Sequence, residues 1–304
     1  MLVLGVDVAK KELVVSNGDR VWSVLNTKAG IAKLLKELPS TAVVAMESTS
    51  HLHLPLADAA YEAGFTVFVL NPKHVKRYRD MLPVRGKTDP LDAQLIASFA
   101  ARECERLRPY KPLPLELRRL KALIQRRSRL VSAKGRIRQS LGGCQELHSE
   151  MNAIVVRIDK ALVHIDELIT ALASSEHYDR LQQIPGVGQL AGAGLLVALS
   201  QGEFRSADSF VAFLGLDLVA NDSGQKQGKR RLSKLGDSET RRLAYMCAMA
   251  AIRTKAWKPI YQQYRTRYST TAALVALSRR IVRTAWSMHS HQTNFSQNRI
   301  ESLT

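Results

Sequence analysis

Leu2-Val-Leu-Gly-Val-Asp7 is a short apolar run near the start of the chain, and the fold of the N-terminal part is decided from it outward. Two further strand-like runs follow, at 12–17 and 20–25. Asn17-Gly18-Asp19 lies between them and indicates a hairpin, because these residues tolerate positive φ angles. Three successive strands are therefore predicted.

Helices and strands alternate after this meander. Ala42-Val-Val-Ala-Met-Glu47 and Phe65-Thr-Val-Phe-Val-Leu70 predict two more strands, with a helix before each of them. A meander followed by alternating helices and strands indicates an α/β domain with a mixed sheet. This order matches the ribonuclease H fold.

Four carboxylates stand at the ends of the predicted elements. Asp7 and Glu47 end or nearly end two strands, while Asp89 and Asp92 lie in Lys87-Thr-Asp-Pro-Leu-Asp-Ala93. Proline favours the first helical position, which predicts Asp89 as a helix N-cap and Asp92 in the first turn. Capping alone explains Asp89 and Asp92, because acids oppose the helix dipole. Together with Asp7 and Glu47, however, they predict a divalent-metal site.

The chain is strongly basic. Its 304 residues carry 45 Lys and Arg against 27 Asp and Glu, a formal charge of +18 with a pI near 10.1. Nucleic acid is the expected partner of such a chain, and no apolar stretch approaches the length of a membrane span. Three widely separated cysteines, with no CxxC pair and no signal-peptide pattern, predict free thiols and a cytoplasmic location.

A basic helix is predicted beyond the proline-rich linker 109–114. Residues 115–141 carry nine cations on one helical pattern, and Gly142-Gly143 separates them from a second helix at 145–173. The apolar spacing predicts an antiparallel hairpin or coiled coil. A solvated face is the alternative, but mutual repulsion of the cations favours a phosphate partner. The predicted nucleic-acid contacts are Arg118, Arg119, Arg126, Arg127, Lys134, Arg136 and Arg138.

Two motifs mark the C-terminal part. Ile184-Pro-Gly-Val-Gly188 resembles a helix–hairpin–helix, in which Gly186 and Gly188 would bring backbone N–H groups to a phosphate, although many such turns only pack helices. Residues 215–236 form a long polar loop whose Ser223 is a candidate nucleophile, with no histidine nearby as a base. A flexible surface connection is the other interpretation. The candidate phosphate-binding cations of this loop are Lys226, Lys229, Arg230, Arg231 and Lys234.

These motifs in combination resemble one family. Gly5-Val-Asp-Val-Ala-Lys10, Met46-Glu-Ser-Thr49 and the 87–93 motif are similar to the N-terminal acids of the DEDD transposases of insertion sequences, a family that includes Piv-type DNA invertases and bridge-RNA-guided recombinases. The 184–188 turn, Ser223-Gly224 and Leu232-Ser-Lys-Leu-Gly236 are similar to its C-terminal half. The resemblance covers nearly the whole chain.

The resemblance implies three domains: a RuvC-like domain at 1–108, a coiled-coil hairpin at 109–176 and a mainly helical transposase domain at 177–304. It implies that Asp7, Glu47, Asp89 and Asp92 bind Mg²⁺, for which Mn²⁺ can substitute. It further implies that Ser223, with Ser233 as the alternative, attacks the scissile phosphate of DNA. A guide or bridge RNA and a homodimer, forming a tetramer during synapsis, are implied partners.

Two rival functions stay open on the sequence. A RuvC-like junction nuclease would hydrolyse DNA with metal-activated water and no serine intermediate. A non-catalytic nucleic-acid-binding protein would use the four acids only as caps.

Overall fold

The computed structural model describes residues 2–49, 51–82, 88–140, 146–219 and 230–296. Ser223, Lys226 and Lys229 lie outside these ranges. The chain divides into two compact units, Met1–Pro112 and Leu113–Thr304. In the described ranges, no helix is both long and apolar enough to cross a bilayer.

The first unit contains a five-stranded mixed sheet in the order β3-β2-β1-β4-β5. The meander β1–β3 is antiparallel, whereas β4 and β5 run parallel to β1. The strands are β1 (Val3–Val8), β2 (Glu12–Ser16), β3 (Val21–Leu25), β4 (Val43–Glu47) and β5 (Thr66–Leu70). The helices of this unit are α1 (Lys28–Lys36), α2 (Leu54–Glu62), α3 (Pro72–Asp80) and α4 (Asp89–Glu103).

Alternation along β1 assigns its side chains to two separate cores. Leu4, Val6 and Val8 join the core that also holds buried residues of α1 and α2. Val3 joins the other core, with Val43 and Ala45 of β4 and with Val75 of α3 and Ile96 of α4. The odd-numbered positions of β1 and β4 therefore face α3 and α4.

Gly5 allows α4 to approach β1 closely. A Cβ atom at Gly5 would lie 2.2 Å from the Ala93 carbonyl oxygen and 2.2 Å from the Ala97 nitrogen, both backbone atoms of α4. Only glycine permits this contact, so the sequence of β1 sets the position of the helix.

The second unit is mainly helical. The hairpin α5 (Leu115–Ser140) and α6 (His148–Ala173) adds Leu120, Ile124 and Ile169 to the core of this unit. The other helices are α7 (Glu176–Gln182), α8 (Gln189–Leu199), α9 (Ala207–Phe213), α10 (Ser238–Ala251), α11 (Lys258–Arg265) and α12 (Thr270–His291). The predicted combination of a mixed α/β sheet and a mainly helical remainder is confirmed.

Three local predictions differ from the structure. Asp89 is the first residue of α4, and the N-cap is Thr88 in extended conformation, so that the carboxylate of Asp89 lies one position inside the helix. The sequence pattern from Asp237 to Ala256 predicts one helix, whereas in the structure Asp237 is the N-cap of α10, α10 ends at Ala251, and α11 begins separately at Lys258. The polar 215–236 segment contains a two-stranded ribbon, β6 (Leu218–Val219) and β7 (Arg231–Leu232).

Candidate active site and nucleic-acid interface

Asp7 and Glu47 lie at equivalent positions of neighbouring parallel strands. The register pairs Val6 with Met46, so each acid is the next residue along its strand. Because side chains alternate across a strand, both acids point to the side that carries Val3, Val43 and α4. Both are half-buried at the carboxyl ends of the strands.

The helix α4 brings its two acids to the same side of the sheet. The turn from Ala93 to Ala97 packs on Gly5, and Ile96 shares a core with Val3 farther back along β1. This packing directs the first turn of α4, with Asp89 and Asp92, toward the end of β1 that carries Asp7. Asp89 is exposed and Asp92 is buried.

Asp92 already has a cationic partner. An Nη2 hydrogen of Arg79, from α3, is donated to Oδ1 of Asp92, and the two side chains are 21% and 10% exposed. The Tyr78 and Phe99 rings, whose centroids are 5.3 Å apart, pack α3 on α4. No sequence pattern pointed to Arg79, since nothing in its spacing links it to Asp92.

The donor chemistry of the four acids fits a hard divalent cation, since Mg²⁺ and Mn²⁺ prefer carboxylate oxygens. Within the described ranges, however, no group of three or more His, Cys, Asp or Glu side chains is arranged so that it could hold a metal ion. The Arg79 guanidinium supplies the positive charge at Asp92 instead.

The basic helix α5 has two kinds of cation. Its half-buried cations bond within the protein: Arg118 to the Leu113 carbonyl, Lys121 to Gln201, Arg127 to Asp166 and Lys134 to Asp159. Burial lowers the pKa of Lys121, and nearby Asp237 opposes that shift. The acids Asp159 and Asp166 belong to α6, so the counter-charge that α5 itself lacks comes from the neighbouring helix.

The other cations of α5 are exposed. They are Arg119, Arg126, Arg129, Arg136 and Arg138. Arg119, Arg126, Arg129 and Arg136 are spaced seven, three and seven residues apart, which places them on one helix face. Arg129 was absent from the predicted contacts, although helical spacing from Arg126 could have identified it. The exposed face is the part of α5 that can meet a phosphate backbone.

The 184–188 turn packs partly against its own domain. Gly186 has a φ of +96°, and a Cβ there would lie 2.8 Å from the Cys247 carbonyl oxygen of α10. Gly188, the N-cap of α8, is exposed, and a Cβ at this position would meet nothing within 4 Å. Of the two glycines, Gly188 leaves room for a ligand.

Ser233 lies at the base of the β6–β7 ribbon and bonds to a carboxylate. Its hydroxyl donates to Oδ1 of Asp217, and its N–H donates to the Asp217 carbonyl over 3.0 Å. Asp217 was not among the predicted site residues, because it lies sixteen residues away in sequence and only the ribbon pairing joins the two. Arg230, Arg231 and Lys234 flank this position and are exposed.

Comparison with known proteins gives matches over most of the chain. Residues 4–144 match a family model described as a transposase, of the DEDD IS110 type, and residues 178–265 match the model of the "Transposase IS116/IS110/IS902 family". A "Probable family 20 transposase" of Pseudomonas aeruginosa is 26% identical, covering 95% of this chain and 97% of that protein.

Two further relatives have more specific names. The transposase for insertion sequence element IS1111A of Coxiella burnetii is 26% identical over 83% of this chain and 78% of its own length. A pilin gene-inverting protein of Moraxella bovis is 25% identical over 82% of this chain and 81% of its own length.

Proposed function

The chain belongs to the IS110/IS116/IS902 family of insertion-sequence transposases, and on that premise we propose that it cleaves and rejoins DNA through a covalent serine–DNA intermediate. Transposases of this family cut and transfer DNA strands. The serine intermediate, the bound Mg²⁺ and guidance by a bridge RNA are the parts that we propose.

The observation that carries the proposal is the register of β1 and β4. In this register Asp7 and Glu47 are neighbours on the face that α4 covers, and the first turn of α4 carries Asp89 and Asp92. A strand order of β3-β2-β1-β4-β5 also supports a RuvC-like, ribonuclease-H-type domain. Asp7, Glu47, Asp89 and Asp92 would hold the metal, which when bound neutralises charge that develops on the phosphate oxygens.

We propose Ser223 as the nucleophile. Its hydroxyl oxygen forms a bond to phosphorus while the bond from phosphorus to one deoxyribose oxygen breaks, and the hydroxyl proton passes to the leaving oxygen or to water. Attack of a deoxyribose hydroxyl from another strand on the phosphoserine reverses the step and rejoins DNA. The phosphoester is conserved, so no external energy source is needed.

Cations near the ribbon would bind the phosphates. Arg230, Arg231 and Lys234 are exposed in the structure, and Lys226 and Lys229 stand between the two ribbon strands in the sequence. Preorganised cations stabilise the phosphorane-like transition state more than they stabilise the phosphodiester substrate. The exposed face of α5 would hold the backbone of the DNA or of an RNA, and base pairing with a guide RNA would supply sequence specificity. A homodimer that pairs into a tetramer is the proposed assembly.

The experiment incubates purified protein with Mg²⁺, element-end DNA and RNA transcribed from the non-coding flank. Products are run on a denaturing gel, and the DNA-linked peptide is mapped by mass spectrometry. We expect DNA attached through Ser223, lost in Ser223→Ala, retained in Ser233→Ala and lost in Asp7→Asn.

Other outcomes have defined meanings. Attachment through Ser233 would assign the nucleophile to the residue bonded to Asp217. Cleavage without any attached protein would overturn the serine intermediate and support a metal-dependent junction nuclease. If the folded protein binds the nucleic acid but does not cleave the DNA, the result would support a non-catalytic nucleic-acid-binding protein.

A further inference from the structure

Arg79 is an internal cation at the proposed metal site. Its guanidinium bonds to Asp92, and both side chains are mostly buried. Removing a carboxylate from water is unfavourable unless a counter-charge is present. Arg79 therefore supplies the counter-charge for the buried Asp92 carboxylate.

The environment of Arg79 is incomplete as a purely structural ion pair. Its Nε atom is buried, and no atom among the residues that the structure describes accepts a hydrogen bond from it. A buried donor without an acceptor destabilises the arrangement that leaves it so. The Arg79 guanidinium bonds to Asp92, but one of its own donors has no acceptor among the described residues. The bonded position of Arg79 is therefore less strongly favoured over a released position.

We propose that Arg79 is a positioning residue that competes with the divalent metal for Asp92, so that metal binding and release of the Arg79 guanidinium are coupled. This inference rests on the proposed function, because it takes Asp92 as a metal ligand. A dication bound by Asp92 and a guanidinium on the same carboxylate repel each other, and the nearby charge of Arg79 lowers the metal affinity. Once released, Arg79 presents a planar donor group suited to a phosphate of the DNA strand.

The helix α3 offers a matched control. Arg77 lies on the same helix and carries the same charge, but it is exposed. Solvent and salt screen an exposed charge, so removal of Arg77 should change metal binding at Asp92 little. Arg77→Gln and Arg79→Gln therefore differ in contact with Asp92 and not in net charge.

The test measures Mn²⁺ binding by electron paramagnetic resonance on the full chain, stripped of nucleic acid at high salt. We expect Arg79→Gln to bind Mn²⁺ about tenfold more tightly than wild type. Arg77→Gln and the charge-retaining Arg79→Lys should stay within about twofold of wild type. In an Asp92→Asn background, Arg79→Gln should give no gain, since the two residues act as a pair.

Thermal melting supplies an independent measurement. Metal-free Arg79→Gln should melt below wild type, because the buried carboxylate loses its partner, and Mn²⁺ should raise its melting temperature more than that of wild type. A merely structural ion pair predicts the lower melting temperature without tighter metal binding. If Arg79→Gln does not fold alone, folding induced by Mn²⁺ supports the inference, and failure to fold with Mn²⁺ overturns it.

The outcomes separate this inference from the proposed function. If wild type binds Mn²⁺ and the Mn²⁺ affinities of Arg79→Gln and Arg77→Gln agree within twofold, the coupling of Arg79 to the metal is overturned. The proposed metal site is not affected by that result. No Mn²⁺ binding by wild type or by Arg79→Gln would overturn the proposed metal site as well.

Discussion

Arg127 on α5 donates hydrogen bonds to both carboxylate oxygens of Asp166 on α6, with 3.0 Å between Nη2 and Oδ2. Arg126, the neighbouring residue, has the same charge and is exposed. Two adjacent arginines therefore have different roles: Arg127 holds the hairpin together, and Arg126 belongs to the face that can meet phosphates.

The salt dependence of nucleic-acid binding should separate these roles. Each cation that neutralises a phosphate releases counterions, so Arg126→Gln should reduce the slope of log K against log salt by about 0.9 on duplex DNA. Arg127→Gln should leave the slope nearly unchanged while lowering the melting temperature of the free protein. Filter binding at four salt concentrations measures the slope, and equal slope changes in both variants would refute the assignment.

Gly5 should be intolerant of any side chain. Gly5→Ala would place a Cβ atom 2.2 Å from two backbone atoms of α4, and α4 cannot move without disturbing the core it shares with β1. We expect a loss of more than about 3 kcal/mol in the free energy of unfolding, beyond the usual cost of overpacking. Denaturant unfolding of the full chain gives the number.

Gly135→Ala is the control for this substitution. A Cβ at Gly135 meets nothing within 4 Å, and the residue lies inside α5. Alanine should stabilise the helix there by about 1 kcal/mol. A loss of stability in Gly135→Ala, or none in Gly5→Ala, would contradict the packing described for β1 and α4.

Glu239 should contribute pH-dependent stability. Burial would raise the pKa of this carboxyl, but hydrogen bonds from Arg242 and from Ser128 of α5 outweigh it and hold the pKa below its ordinary value. A lowered folded-state pKa stabilises the protein above the unfolded value, about 4.3, and the gain is lost as pH falls through the folded value.

Glu239→Gln should therefore cost about 1–3 kcal/mol at pH 7 and progressively less in acid. Glu203→Gln, at an exposed position, serves as the control. Urea unfolding from pH 7 down to pH 3 follows the difference between each variant and wild type. A difference for Glu239→Gln that is independent of pH would exclude the carboxylate as its source.

Cys247 should be chemically silent in the folded protein. It is 2% exposed, and burial raises the pKa of its thiol to about 12. At pH 8 only about one thiol in ten thousand would be the reactive thiolate. Partly exposed Cys104 should react with iodoacetamide first. Peptide mapping after alkylation compares the two sites, and equal modification rates under native conditions would show that α10 opens.

The sequence by itself determined the order of strands and helices, because alternation, turn residues and prolines act over a few neighbouring positions. It also pointed to Asp7, Glu47, Asp89 and Asp92 as candidate metal ligands by their places at element ends. The predicted N-cap, Asp89, is one residue beyond the observed N-cap, Thr88, because the start of a helix depends on backbone conformation.

Only the tertiary structure decided which charged and polar side chains are paired. Arg79 with Asp92, Arg127 with Asp166 and Ser233 with Asp217 are joined across different elements. Residue spacing along one helix or strand contains no information about the side chains of the next element. The expected repulsion within α5 was therefore overestimated, because α6 supplies two of its counter-charges. Long-range packing brings these partners together, and local periodicity cannot predict them.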